Sequence, residues 1–125
     1  MAVHFHEEDL PPGVLAGTGA IAIDTETMGL ITPRDRLCVV QLSDGSGDEH
    51  LVRFGPGSAY DAPNLKALLA DNSRVKLYHY ARFDLAALVD HLAHNPEDGD
   101  IVRGTGGVRS CAGARRVSAS AAARG

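Results

Sequence analysis

Two carboxylates one residue apart, Asp24 and Glu26, stand at the end of the apolar run Ala20-Ile-Ala-Ile23. Side chains at i and i+2 of a strand share a face. The spacing therefore projects both acids together from a strand end. Like charges that close repel, and a divalent cation between them relieves the repulsion. Carboxylate oxygens are hard ligands that suit Mg²⁺ or Mn²⁺. A cation held this way can polarise a phosphoryl oxygen and activate water. The plainer alternative is a solvated strand end that carries two acids and does no chemistry.

A third acid, Asp84, lies in Leu77-Tyr-His-Tyr-Ala-Arg-Phe-Asp-Leu85, in the first turn of a predicted helix that follows a predicted strand. The helix dipole favours an acid there without any catalytic role. If that strand lies beside the first, Asp84 reaches the same strand-end crevice. The expectation is then three acids, from two strand ends, converging on one cation-binding pocket.

The elements that must position these acids follow from the patterning. Gly19–Thr25 predicts a first central strand, its continuous apolar run matching burial on both faces. Arg36–Ser43, rich in β-branched residues, predicts a second strand, and Asp44-Gly-Ser-Gly-Asp48 a turn. Glu49–Phe54 alternates and predicts a third strand. Short links between the three predict an antiparallel meander. Val3–His6 fits a short edge strand, and its two histidines could bind a metal or simply face solvent. Asn64–Ala70 predicts a helix with Leu65, Leu68 and Leu69 on one stripe and Asp61 or Asn64 as its cap. Val75–His79 predicts a fourth strand. Ala81–Ala93 predicts a second helix with Leu85, Leu88 and Leu92 inward; His91 and His94 near its end suit the helix dipole or a ligand pair.

The 125 residues fit one domain. A net charge of −4 argues against a nucleic-acid binder that works mainly by electrostatics. It does not exclude an enzyme that meets phosphates through bound metal. Two cysteines without a CxxC predict neither a zinc site nor a disulfide framework, and Cys38 is expected buried and reduced. No signal peptide and no membrane span is visible, so the cytoplasm is the expected location. From Glu97 onward Leu, Phe and Tyr vanish, and Gly, Ala, Ser and five arginines take over. Such a stretch buries too little apolar surface to offset its ordering entropy. Residues 97–125 are expected to form a disordered or weakly structured tail after a domain spanning 1–96. Its arginines could touch RNA or DNA.

Ile23-Asp-Thr-Glu-Thr-Met-Gly-Leu30 resembles the first motif of the ribonuclease D-like branch of the DEDD 3′–5′ exonucleases. Arg36–Ser43 resembles the strand that follows that motif in the family, and Lys76–Leu85 resembles the second motif. The resemblance covers about residues 18–93. It implies an α/β fold of the ribonuclease H-like kind: a mixed sheet that begins with the three-strand antiparallel meander, flanked by helices, here incomplete. It implies two divalent ions, Mg²⁺ or Mn²⁺, with Asp24 bridging both, Glu26 holding one, and Asp84 acting at the second directly or through water. It implies RNA or single-stranded DNA 3′ ends as substrate. Thr25, Thr27, Met28, Gly29 and Leu30 would meet the 3′-terminal nucleotide, and His79 and Phe83 would position the site. Met28 and Leu30 could equally be core residues.

The family's fourth carboxylate, in a Tyr-x-x-x-Asp or His-x-x-x-x-Asp motif on a late helix, has no counterpart here. Tyr80-x-x-x-Asp84 fits by count but belongs to the second motif. His94-Asn-Pro-Glu-Asp98 has the wrong spacing and contains a proline. The glycine-rich tail stands where later helices are expected, which suggests a truncated or frame-shifted reading. The favoured expectation is a metal-dependent 3′–5′ exonuclease domain acting on RNA or single-stranded DNA ends, its catalysis weakened or lost without the fourth acid; a non-catalytic fragment with weak nucleic-acid or partner binding, and another ribonuclease H-like nuclease or transferase, compete with it.

Overall fold

Alternating residues at the centre of the chain decide the layering. In the computed structural model, which describes residues 1–31, 34–78, 81–93, 108–110 and 116–117, strand β2 (Ile21–Thr27) buries Ile21, Ile23 and Thr25 and exposes Ala22, Asp24 and Glu26. Burial is thus one-sided, not two-sided as the apolar run suggests: Ala22 is small enough to be left in solvent at little cost. Strand β3 (Leu37–Ser43) and strand β4 (Glu49–Arg53) complete the antiparallel meander with β2. Strand β1 (Val3–Glu7) runs parallel to β4 and forms one edge. Strand β5 (Lys76–Tyr78) joins the other side of β2 in parallel. Two short strands, β6 (Val108–Ser110) and β7 (Arg116–Val117), extend the sheet beyond β5 in the order β1-β4-β3-β2-β5-β6-β7. The remainder of the tail expected after residue 96 lies outside the described residues. The mixed sheet with its meander is an α/β fold of the ribonuclease H-like kind.

Helices α1 (Pro63–Ala70) and α2 (Ala81–Leu92) both feed one core. Leu65 and Leu69 of α1 and Leu85, Leu88 and Leu92 of α2 close on Ile21, Ile23, Val40, Leu42 and Val52. Of the leucine stripes read from the sequence, all three residues on α2 and Leu65 and Leu69 on α1 are buried, while Leu68 packs against the core only partly buried. The cap of α1 is different from either residue expected. Ala62 takes a left-handed backbone and supplies no side-chain cap. Instead Asp9, from the other end of the chain, accepts the amide hydrogens of Asn64 at 3.0 Å and Leu65 at 2.8 Å. A carboxylate there also meets the positive end of the helix. Asn64 turns its side chain to the Leu10 carbonyl.

His91 is a core residue with both ring nitrogens engaged; His94, the partner expected for it, lies outside the described residues. Its Nδ1 faces the Ala87 carbonyl at 2.9 Å and its Nε2 accepts the Leu37 amide hydrogen at 3.2 Å. Only the Nδ1-protonated tautomer satisfies both. Tyr60 packs against the same ring in a tilted arrangement and donates its hydroxyl to the Leu37 carbonyl at 2.8 Å. The first residue of β3 is thereby pinned at both backbone groups, beside a β-bulge that separates Glu26 from Thr27 in the register. Cys38, at that irregularity, is half-buried rather than fully buried, and is a free thiol.

His4 and His6 stack with His50, which stands in register with His4. Their planes are nearly parallel, and His6 Nε2 lies 3.0 Å from His50 Nδ1. Stacked faces do not direct three lone pairs at one point; among the described residues no group of three or more His, Cys, Asp or Glu could hold a metal ion. Burial first, then the charges of His50 and His4, lower the His6 pKa below its ordinary 6.5. A base held low in the folded state binds fewer protons than in the unfolded chain. Its stabilising share is complete above about pH 6.5 and is lost as pH falls through the folded value. Melting followed by circular dichroism should show a fall in stability as the pH drops below about 6.5, well above the carboxylate range. His6→Gln should flatten that step; an identical pH profile in the variant would refute the assignment.

Candidate active site

Asp24 and Glu26 stand side by side on the exposed face of β2, with Gln41 and Val39 of β3 as their cross-strand partners. Gln41 donates to Glu49 at 2.7 Å, and Asp24, Gln41, Ser43 and Glu49 line a depression of about 300 Å³ with Ala22, Ile23 and Leu77. The pair expected from alternation is thus real and open to solvent.

Asp84 is not with them. Strand alternation turns Thr25, between the two acids, to the helix side, and α2 packs on that side. The Thr25 hydroxyl donates to Asp84 Oδ1 at 2.5 Å, with Thr25 7% and Asp84 2% exposed. Tyr78, paired with Ile23 on the same face, has its phenol pushed far up by burial and then by the Asp84 charge. Asp84 therefore holds the strand from beneath, while Asp24 and Glu26 project from its other face. The expected convergence of all three acids does not occur in this arrangement. Which side α2 crosses the sheet could not be read from local pattern.

The segment after the acids is exposed and apolar. Met28 is 68%, Leu30 83% and Ile31 52% exposed, so neither Met28 nor Leu30 is a core residue. The backbone is nonetheless well tied. Met28 donates to the Arg36 carbonyl at 2.9 Å, and Thr27 donates its hydroxyl to the Gly29 carbonyl. Asp35 accepts the Ile31 amide hydrogen at 2.9 Å and returns its own to the Ile31 carbonyl at 2.7 Å. Arg34 pairs with Asp35 through two contacts of 3.1 Å; this pairing first, then the Ile31 amide, lowers the Asp35 pKa. Sequence reasoning passed over Asp35, whose only signal was its place close behind a glycine-containing turn. Phe83 is half-buried at the start of α2, and His79 lies outside the described residues.

A family model described as 3′–5′ exonuclease matches residues 13–98. The chain belongs to the 3′–5′ exonuclease family. Solved structures agree with this exonuclease assignment. One described as the apo form of the nuclease is 49% identical, with TM-score 0.68, over 73% of this chain and 44% of that one. Brucella melitensis NrnC bound to pGG is 46% identical, with TM-score 0.70, over 74% of this chain and 45% of that one. Brucella melitensis NrnC with bound Mg²⁺ is 47% identical, with TM-score 0.69, over 73% of this chain and 45% of that one. The exonuclease chain thus spans a little under half the length of these structures. No curated protein matches it. No helix among the described residues is long and apolar enough to cross a membrane.

Proposed function

We propose that this chain carries the metal-binding part of a Mg²⁺-dependent 3′–5′ exonuclease that acts on RNA 3′ ends in the cytoplasm. The observation that carries the reading is the Asp24/Glu26 pair, exposed on one face of β2 within a stretch matched by the family model. Two adjacent carboxylates fit Mg²⁺, which binds one or two protein carboxylates and fills its remaining positions with water and substrate phosphate oxygens. When bound, the ion supplies Lewis-acid polarisation of the phosphodiester and a more acidic water. NrnC has been seen with Mg²⁺ and with pGG, which supports the same ligand classes here.

The chain's own residues then do three things. Asp24 and Glu26 provide the negative, oxygen-rich face against which phosphate and cation assemble. Thr25, tied to Asp84, keeps the strand from rotating, so both acids stay outward. The ledge formed by Met28, Leu30 and Ile31 lies directly after the acids and presents apolar surface to the terminal base. A second ion at Asp84, as the resemblance implies, would require that carboxylate, buried and engaged with Thr25 on the helix side of β2, to reach the face that carries Asp24 and Glu26. That engagement favours a second reading, in which the chain binds 3′ ends without turnover.

Incubation of the purified chain with a 5′-labelled oligoribonucleotide and Mg²⁺ separates the two. Stepwise shortening by single nucleotides, abolished by chelation of the metal, is the expected result. Binding without shortening would select the second reading. Internal cleavage would point to another ribonuclease H-like activity, and a preference for the matching DNA strand would correct the substrate.

A further inference from the structure

Rigid backbone and exposed apolar side chains rarely occur together without a reason, because burying such surface is favourable. Residues 28–31 combine them. Four hydrogen bonds hold this backbone, and two of them are made by Asp35. A further constraint comes from Gly29. Its φ is not in the left-handed region, so conformational freedom does not explain the glycine. Space does: a Cβ at Gly29 would lie 2.8 Å from Asp35 Cγ and overlap the carboxylate oxygen. The Asp35 side chain fills the place that a side chain at 29 would take, and from there reaches the Ile31 amide.

We propose that Asp35 is a positioning residue: seated against the bare Cα of Gly29, it locks Met28, Leu30 and Ile31 into a ledge that receives the base of the 3′-terminal nucleotide. The inference rests on the nuclease reading, since the ledge follows Asp24 and Glu26 directly along the chain. The carboxylate clamps the backbone and touches no reacting atom. Its contribution is to keep apolar side chains from folding back onto the protein, so that a flat base meets a surface already formed. Arg34 pairs with both oxygens of the carboxylate, including the Oδ2 that accepts the Ile31 amide hydrogen.

The test is a titration of the full chain, in Ca²⁺, with two 5′-fluorescein pentaribonucleotides: one ordinary, one with an abasic 3′-terminal residue. Fluorescence anisotropy reads binding without needing turnover. The wild-type chain should bind the ordinary strand about tenfold more tightly, the size expected for covering one face of a base with apolar surface. Asp35→Ala should remove most of that preference and leave the abasic strand's affinity unchanged. Asp35→Asn, which keeps an acceptor for the Ile31 amide, should recover part of it. Gly29→Ala should mimic Asp35→Ala, and the double variant should be no weaker than either, since both break one clamp. Hydrogen exchange at the Ile31 amide should quicken in Asp35→Ala, confirming that the clamp is what was lost.

A purely structural role for Asp35 would weaken both strands equally, and that result overturns the proposal. So does an unchanged preference in Asp35→Ala. If the wild-type chain binds neither strand, the nuclease reading fails and takes this inference with it. That outcome is distinguishable because it is seen before any substitution is made.

Discussion

Asp24→Asn should reduce Mg²⁺-dependent nucleotide release by roughly a thousandfold or more, which corresponds to about 4 kcal/mol of transition-state stabilisation. Glu26→Gln should do nearly as much. On the proposed reading, each change removes an anionic ligand from the face where cation and phosphate meet, and an amide oxygen is a far weaker partner for a hard divalent ion. The same changes should leave the fold alone. Both side chains are exposed, on a face that contributes nothing to the core of leucines and isoleucines. Melting temperatures within a degree or two of the wild type are expected, since surface substitutions away from structural contacts cost little. The combination is the test. Activity that survives Asp24→Asn would remove the acid pair from the chemistry, and activity lost only through unfolding would make the pair structural.

Thr25→Val should have the opposite signature. The hydroxyl that donates to Asp84 is replaced by a methyl of nearly the same shape. A carboxylate 2% exposed then loses a hydrogen-bond donor in a setting that water reaches poorly. Leaving a buried charged group short of a partner costs about 2–4 kcal/mol. For a domain of this size that lowers the melting temperature by roughly 10 °C. Thr25→Ser keeps the donor and should stay near the wild type. A Thr25→Val protein that melts with the wild type would show that the contact carries no weight. Asp84→Asn sharpens the question further. The amide oxygen can still accept from Thr25, so stability should change less than in Thr25→Val. Loss of nucleotide release at preserved stability in that variant would place Asp84 at a metal, as the family resemblance implies. Retention of both would leave it the anchor described here.

Asp24, Thr25 and Glu26, consecutive in sequence, illustrate how alternation divides labour. Asp24 and Glu26 can face solvent only because Thr25 faces the helix layer. The bulge between Glu26 and Thr27 then ends the regular ladder, and the chain leaves the sheet toward the exposed ledge. The pinning of Leu37 by His91 and Tyr60 stabilises the partner strand at the same level. The open face and its support are therefore built from opposite sides of the same few residues.

Much of this was legible in the amino-acid sequence. The spacing of Asp24 and Glu26 alone placed them on a common face, because a strand repeats every two residues whatever surrounds it. The meander followed from short turns, the leucine stripes of both helices from their period, and the family from two ordered motifs. Each of those signals is carried by residues close in the chain. Other features waited for the tertiary structure. An apolar run cannot say whether one or both faces are covered, so β2's one-sided burial was not visible. The cap of α1 comes from Asp9 and the anchor of β3 from His91, each more than fifty residues from the group it satisfies. Asp84 sits beneath β2 because α2 packs on the side of Ile21, Ile23 and Thr25, a choice made by the whole core. Local propensity acts over a few residues, whereas the face a helix covers is settled by all the apolar surface that can be buried at once.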